Sequence, residues 1–189
     1  MAIFVYIATS LDGFIAAEDD DLSWLSEIPN PDESDFGFND FMSRVDALVM
    51  GRRTYDKVVS FGVWPYDKPV FVLSNTLGSL PANPETRLEV ISGDPESVIA
   101  QLTAKGYHNL YVDGGITIQS FLKRDLVDEM IITCVPVLLG SGIPLFGHLQ
   151  HALKFSLEKT EALGAGLVKN HYKRIRSRKY CQEEHATRA

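Results

Sequence analysis

The sequence is poor in cysteine, with two in 189 residues. Cys134 stands inside an apolar run and Cys181 in a polar C-terminal stretch, so nothing suggests the disulfide framework of a small secreted domain. The opening run from Ala2 has no basic segment before it and meets Asp12 and Gly13 early, which is typical of neither a signal peptide nor a membrane span. We therefore expect a cytoplasmic protein that does not enter a membrane.

Basic charge is also scarce, because 18 Lys and Arg stand against 25 Asp and Glu, a net charge of −7. Nucleic-acid binders usually carry a basic face that neutralises phosphates, so this balance argues against that class. A local basic cluster can still serve a small phosphorylated ligand. The length and the 45% hydrophobic content fit one globular domain. We expect that domain over residues 1–176 and a polar, frayed tail over residues 177–189.

Several sequence signatures of catalysis are missing. There is no G-x-G-x-x-G dinucleotide fingerprint, no G-x-x-x-x-G-K-[ST] phosphate loop and no G-x-S-x-G nucleophile elbow. His148 and His151 form an H-x-x-H pair, but neighbouring Gly and Pro residues disfavour a helix and no third ligand presents itself. We expect no metal site.

The stretch from Leu110 to Leu122 is the most informative part of the chain. A short apolar β run breaks at Gly114 and Gly115, and the apolar residues then recur with helical spacing. A glycine turn at a helix N-terminus can hold a phosphate against free N–H groups. The same pattern also fits a tight strand-to-helix turn without a ligand, and both interpretations stay open.

A second junction of this kind is Gly51-Arg52-Arg53-Thr54, which follows the apolar run 46–50. Arginines are unfavourable near the positive end of a helix dipole, and a bound anion would explain their position. Their forked donors suit a phosphate monoester. Solvent-exposed arginines without a ligand are the alternative.

Strand-like and helix-like patterns alternate along the chain, which predicts an α/β domain with a mostly parallel covered sheet. Residues 153–175 predict a C-terminal antiparallel hairpin around Gly164-Ala-Gly166. Ser74 and Asn75 follow a third apolar strand. Ligands of such sheets bind at the carboxyl ends of the strands, where residues 51–54, 74–76 and 114–117 would gather.

Three more residues are candidates for the site. Asp35 is predicted near the buried face of a helix beginning at Ser34, where it is either a helix-start acid or a partly desolvated acid with a raised pKa. Trp24 lies in the irregular stretch 18–31, either as a lid over a site or as a hydrophobic anchor. Thr133 is the single hydroxyl in an apolar strand, and such a group usually finds a partner.

Taken together, these motifs resemble the dihydrofolate reductase superfamily from residue 2 to about residue 175. The motifs are Ala8 with Leu11-Asp12-Gly13-Phe14-Ile15, Gly51-Arg52-Arg53-Thr54, Leu73-Ser74-Asn75 and Asp113-Gly114-Gly115. Three others look more like the reductase domain of the bifunctional riboflavin-biosynthesis deaminase-reductases, and they are Ser10-Leu11-Asp12-Gly13, Leu126-Val127-Asp128-Glu129 and the predicted loop over residues 140–146. The zinc-ligand pattern of the deaminase half is absent from the sequence.

The resemblance implies a three-layer dihydrofolate-reductase-like fold and NADPH as hydride donor. It implies that Arg52 and Arg53 lie near the adenosine 2′-phosphate and Thr54 on the phosphates. Ser74 would lie beside the adenosine, and Gly114 to Thr117 would follow the pyrophosphate. The implied cofactor-binding residues are Ala8, Ile15, Gly51, Arg52, Arg53, Thr54, Ser74, Asn75, Gly114, Gly115, Ile116 and Thr117.

For the substrate, the resemblance places Asp35 at the catalytic acid and Thr133 at its hydroxyl partner, with Trp24 in the mobile loop. Lys68 aligns with the arginine that grips the folate carboxylate, and it cannot make the same bidentate clamp. Ile118 replaces the tyrosine that usually follows the glycine pair. These departures rank a phosphoribosylaminouracil substrate, or a related small heterocycle, above a dihydropteridine. A nucleotide- or flavin-binding module without turnover is the remaining alternative. The resemblance also suggests a homodimer.

Overall fold

The computed structural model describes residues 1–80 and 87–176, so the expected tail at 177–189 lies outside the described residues. The described part of the chain forms ten strands and five α-helices. The strands, numbered in chain order, are β1 (Ala2–Thr9), β2 (Phe14–Ala16), β3 (Ala47–Gly51), β4 (Val70–Leu73), β5 (Leu88–Ile91), β6 (Asn109–Asp113), β7 (Glu129–Cys134), β8 (Ile143–Pro144), β9 (Phe155–Ala162) and β10 (Val168–Arg174). The helices are α1 (Ser23–Ser26), α2 (Phe38–Met42), α3 (Arg52–Ser60), α4 (Pro95–Ala104) and α5 (Gly115–Lys123).

Eight strands form one sheet in the order β5-β4-β3-β6-β1-β7-β10-β9. The first six run parallel to one another, and β10 runs antiparallel to both β7 and β9. The predicted α/β sheet with a C-terminal antiparallel hairpin is thus confirmed. The apolar run that begins the chain forms β1 near the middle of the sheet, as expected for a strand covered on both faces.

Helices cover both faces of the sheet and give the three layers that the resemblance implied. On one face, α4 and α5 bury Leu102, Ile118 and Phe121 against the sheet. On the other face, α2 and α3 bury Phe41 and Tyr55. The helix and strand periodicities place apolar side chains on the inward sides, so two cores form on either side of one sheet. Because the strands from β5 to β7 in the sheet order are parallel, their carboxyl ends all lie at one edge of the sheet.

Two local expectations were wrong. The helix predicted from Ser34 begins only at Phe38, because Phe36 (φ 53°) and Gly37 (φ 84°) adopt left-handed conformations that interrupt helical geometry. The 140–146 segment, expected as a loop, contains the two-residue strand β8, which pairs with β2 in a separate small sheet. That pairing brings Ile143 over the edge where the parallel strands end.

Candidate active site at the carboxyl edge of the sheet

A cavity of about 650 Å³ opens at the carboxyl edge of the parallel strands. Its wall combines apolar side chains from β1, β2 and the 18–25 segment with the N-terminal turns of α3 and α5. Ten of the twelve cofactor residues implied by the resemblance line it, namely Ala8, Ile15, Gly51, Arg52, Arg53, Thr54, Gly114, Gly115, Ile116 and Thr117. Motifs that are far apart in the chain thus contribute ten of the residues that line one continuous surface.

The two strand-to-helix junctions interlock, and this packing explains their glycines. A Cβ at Gly114 would lie 2.1 Å from Thr54 Oγ1, and a Cβ at Gly51 would lie 2.9 Å from Thr117 Oγ1. Each threonine of one helix start thus fills the space beside the glycine of the other junction. Gly114 also has a φ of 88°, a left-handed conformation that favours glycine. The space beside these glycines belongs to protein atoms, so close packing alone requires them.

Two of the helices that open onto the cavity, α3 and α5, begin without a side-chain cap. Within the described residues, neither Gly51, the N-cap of α3, nor Gly114, the N-cap of α5, provides a side-chain capping hydrogen bond. By contrast, α4, whose first residue Pro95 also lines the cavity, is capped by Asp94, which accepts from Ser97 N at 2.8 Å. The first N–H groups of a helix need partners, and they carry the positive end of the helix dipole. The cavity therefore presents two helix starts suited to an anion.

The two arginines at the start of α3 already have carboxylate partners. Arg52 Nε lies 3.0 Å from Asp56 Oδ2, one turn along the same helix, and Arg53 donates from a terminal nitrogen to Asp20 Oδ2 at 2.6 Å. These ion pairs explain how two arginines are tolerated near the helix start. The sequence had suggested only a bound anion or exposure to solvent as the explanation. Both guanidinium groups are at least half exposed on the cavity wall, so they remain open to a further anionic partner.

Asp113 is a site residue for which the sequence analysis gave no role. It ends β6 immediately before Gly114, lines the cavity, and its Oδ1 accepts from Gly114 N at 2.8 Å. Tyr66, also on the cavity wall, places its hydroxyl 3.5 Å from Asp113 Oδ2. Desolvation raises the pKa of Asp113 to about 6, against an ordinary value near 3.8. The sequence feature that could have pointed to Asp113 is an acidic residue at the end of a strand, directly before the glycine pair.

Asp35 does not have the environment that was expected for it. The carboxylate is exposed and accepts from Gly37 N at 2.8 Å and from Asn39 N at 3.0 Å. These two N–H groups, together with the charge of Lys169, hold its pKa below the ordinary value, so the expectation of a raised pKa is wrong. The cause is the late start of α2, which leaves Asp35 in the preceding turn. Among the described residues, the hydroxyl of Thr133 is not one of its hydrogen-bond partners.

Trp24 is a buried anchor in this structure. It is 7% exposed and packs in a small core with Val135 and Leu167, which Ala8 and Phe36 also contact at its border. Within the described part of the chain, its indole Nε1 has no hydrogen-bond partner. The alternative of a hydrophobic anchor for the 18–31 stretch therefore agrees with the structure, while neighbouring Leu22 and Leu25 reach the cavity.

The remaining candidates lie away from the cavity wall. Ser74 Oγ accepts from Thr76 N and Leu77 N and so closes the turn after β4, and Asn75 is exposed beside it. Lys68 is half-buried in the turn before β4, and Thr133 lies in β7 opposite Ala8. None of the four is among the residues that line the cavity.

Within residues 1–80 and 87–176, His, Cys, Asp and Glu side chains form no group of three or more able to hold a metal ion. No helix there has the length and the apolar composition needed to cross a membrane.

Fold and site together define the class of this protein. A mostly parallel sheet with helices on both faces, a cavity at the strand ends and a terminal antiparallel hairpin is the dihydrofolate-reductase-like arrangement. The chain belongs to the RibD C-terminal domain family, whose model matches residues 2–169.

Solved structures and curated sequences support this membership. A protein of Shewanella sp. PV-4 assigned to riboflavin biosynthesis is 52% identical, with a TM-score of 0.89 over 93% of this chain and all of that one. The deaminase and 5-amino-6-(5-phosphoribosylamino)uracil reductase of Thermotoga maritima shares the fold, with a TM-score of 0.74 at 16% identity over 92% of this chain and 56% of that one. The uncharacterized Bacillus subtilis protein YwjB is 39% identical over 173 residues, which are 90% of this chain and 96% of YwjB.

Proposed function

We propose that this protein is an NADPH-dependent reductase of a heterocyclic substrate, with 5-amino-6-(5-phosphoribosylamino)uracil as the first candidate. The observation that carries the proposal is the single cavity surface on which ten implied cofactor residues meet two uncapped helix starts. The uracil derivative is favoured because the family model is that of a riboflavin-biosynthesis reductase domain, and because the Thermotoga relative is named for this activity. The cytoplasmic location and the homodimer stay predictions.

The residues present fit a phosphorylated dinucleotide. Two helix starts offer N–H groups for a pyrophosphate, and Arg52, Arg53 and Lys57 supply positive charge along α3. When bound, NADPH supplies a hydride to an electrophilic carbon of the substrate. In this account, α3 and α5 bind the phosphates, and the arginines distinguish NADPH from NADH through the 2′-phosphate.

The apolar wall of the cavity orients the ring that reacts. Ala8 and Ile15 line it from β1 and β2, and Ile15 Cδ1 would lie 2.9 Å from a Cβ placed at Gly115. Ile143 of β8 lies at the same point, 3.3 Å from that Cβ position. These apolar side chains would exclude water from a flat ring bound beside them.

Asp113 is the residue that we assign to holding a proton at this edge. Its carboxyl group is partly buried, lies on the cavity wall and has a pKa raised to about 6 by desolvation. With this pKa the carboxyl group is protonated in a minority of molecules at neutral pH and in about half of them near pH 6. Asp113 therefore offers a proton close to the cavity, whereas the lowered pKa of Asp35 makes that side chain a charged acceptor.

Turnover is the experiment that tests the proposal. Purified protein with NADPH is offered the phosphoribosylaminouracil intermediate or dihydrofolate in separate assays, and the loss of NADPH absorbance is followed. We expect oxidation with the uracil derivative. Oxidation with dihydrofolate alone would contradict the substrate assignment, and NADPH binding without turnover of either compound would indicate a nucleotide-binding module.

A further inference from the structure

Lys169 is a lysine in β10 that the fold buries, with 7% of the residue exposed. Its Nζ donates to the carbonyl oxygen of Phe36 at 2.9 Å and lies 3.5 Å from Glu161 Oε2. Lysines are almost never fully buried unless they are paired, because an ammonium group loses hydration. One hydrogen bond and one longer ion pair compensate only partly for the lost hydration. Packing alone therefore does not account for the buried position of Lys169.

The register of the sheet places Lys169 on the same face as Ala8, one of the residues that line the cavity. Lys169 pairs with Thr133 of β7, and Thr133 pairs with Ala8 of β1. Residues directly opposite one another on adjacent strands point to the same face of a sheet. Phe36, the hydrogen-bond partner of Lys169, packs against the same small core as Ala8, which links this lysine to the cavity wall.

Lys169 holds a turn with an unusual backbone conformation. Phe36 has a φ of 53°, a left-handed conformation that is unfavourable for a residue with a side chain, and Gly37 follows with a φ of 84°. The Phe36 carbonyl accepts from both Lys169 Nζ and the Tyr6 hydroxyl, each at 2.9 Å. A Cβ at Gly37 would lie only 3.1 Å from that Nζ. Two donors from the sheet thus fix the turn that directly follows Asp35.

The charge of Lys169 also acts on Asp35. The N–H groups of Asn39 and Gly37 lower the pKa of Asp35 most, and the ammonium group lowers it further. Conversely, the negative charge of Asp35 contributes, after burial, to raising the pKa of the Tyr6 phenol to about 12.

Three other charged or titratable groups surround the ammonium from β9 and β10. Glu161 lies 3.1 Å from Lys159 and 3.2 Å from His171 Nε2, so Lys169 shares its carboxylate with both. His171 Nε2 makes no hydrogen bond within the described residues, so this nitrogen lies close to Glu161 without being hydrogen-bonded to it. Burial and the neighbouring lysines lower the pKa of His171.

We propose that Lys169 is a positioning residue for the substrate end of the active site, acting through the Phe36 carbonyl and through the charge of Asp35. It fixes the Asp35–Gly37 turn, so that the Asp35 carboxylate is held in place as an acceptor for the N–H groups of a heterocyclic substrate. The substrate contact in this inference rests on the proposed reductase function. The coupling between Lys169 and Asp35 does not, because it can be measured in the protein without substrate.

The coupling is tested without substrate by NMR. The carboxyl carbon of Asp35 is titrated in the wild type, in Lys169→Met, which removes the charge, and in Tyr6→Phe, which removes only the second donor to Phe36. Lys173→Met, an exposed lysine of the same strand, is the matched control. We expect the pKa of Asp35 to rise in Lys169→Met and to stay near the wild-type value in Tyr6→Phe and Lys173→Met. An unchanged pKa in folded Lys169→Met would overturn the proposal.

The effect on the substrate is tested by the pH dependence of kcat/KM with the phosphoribosylaminouracil intermediate. Lys169→Met should move the acidic limb to higher pH and lower kcat/KM roughly tenfold or more, because small displacements of positioning groups are costly. Tyr6→Phe should lower kcat/KM without moving that limb, and NADPH affinity should be unchanged in both. An equal loss at every pH in Lys169→Met would reduce Lys169 to a structural residue. Absence of turnover in the wild type would contradict the proposed function, and the NMR result would stand.

Discussion

At the scale of single residues, the surroundings shift the pKa values of different carboxylates of this chain in opposite directions. Asp113 is desolvated and its pKa is raised, whereas Asp35 and Asp12 accept hydrogen bonds in exposed turns and their pKa values are lowered. For Asp12 the largest cause is the Ser10 hydroxyl, followed among the lowering contacts by the N–H groups of Gly140 and Leu139. Residue type alone does not decide which acid can donate a proton; burial and hydrogen bonding do.

The raised pKa of Asp113 predicts a pH-dependent stability. The folded protein binds this proton more tightly than the unfolded chain, so the stabilisation is complete below about pH 4 and is lost as the pH rises through about 6. Asp113→Asn keeps an acceptor for Gly114 N and removes the ionisation. We expect this variant to be more stable than the wild type above pH 6 by about 1–3 kcal/mol, since one pKa unit corresponds to about 1.4 kcal/mol.

Denaturant unfolding across this pH range measures the difference. Asp12→Asn is a control of opposite sign, because a group with a lowered pKa stabilises the fold above its unfolded value and loses this effect as the pH falls. A stability difference between wild type and Asp113→Asn that does not vary with pH would contradict the burial of this acid.

At the scale of elements, the junctions β3–α3 and β6–α5 form one unit. The glycine of each junction accommodates the threonine of the other, which brings two helix starts to the same cavity wall. The sequence showed two similar strand-glycine-helix patterns but gave no sign that they interlock, because the contact joins residues about 60 positions apart in the chain.

Gly114→Ala tests this unit. The added methyl group meets Thr54 Oγ1 at 2.1 Å, and the residue must keep a φ of 88°, so we expect a loss of roughly 2–4 kcal/mol of stability. A second substitution, Thr54→Ala, should recover the part due to the clash and leave the part due to φ. Gly164→Ala is the matched control, since nothing lies within 4 Å of that Cβ position. Equal thermal stabilities of Gly114→Ala and Gly164→Ala would show that the junctions do not interlock.

The limits of prediction at this scale have physical causes. Long apolar runs such as those of β1 and β7 were recognised. The strand β8 has two residues and therefore no detectable alternation. The late start of α2 depends on a turn held by Lys169, 133 positions from Phe36. A pattern within one segment cannot reveal such a contact.

At the scale of the whole molecule, the fold turns separate motifs into one site. Of the residues that the resemblance assigned to the cofactor, those on strand-to-helix junctions reach the cavity, because parallel strands end at one edge. Ser74 and Asn75 do not line it, since the chain turns after β4 without entering a helix there. Arg53 was identified without its partner Asp20, because an ion pair between a loop and a helix has no local signature.

The most direct test of the central claim is a calorimetric titration of NADPH and NADH into the wild type and into the Arg52→Ala, Arg53→Ala double variant. If the cavity binds NADPH and these arginines recognise its 2′-phosphate, the wild type should prefer NADPH, and the double variant should lose most of that preference while its NADH affinity changes little. Lys173→Met, which removes one positive charge away from the cavity, serves as a control. Equal losses of affinity for both cofactors would contradict the assignment of the arginines, and absence of NADPH binding to the wild type would contradict the account of the site.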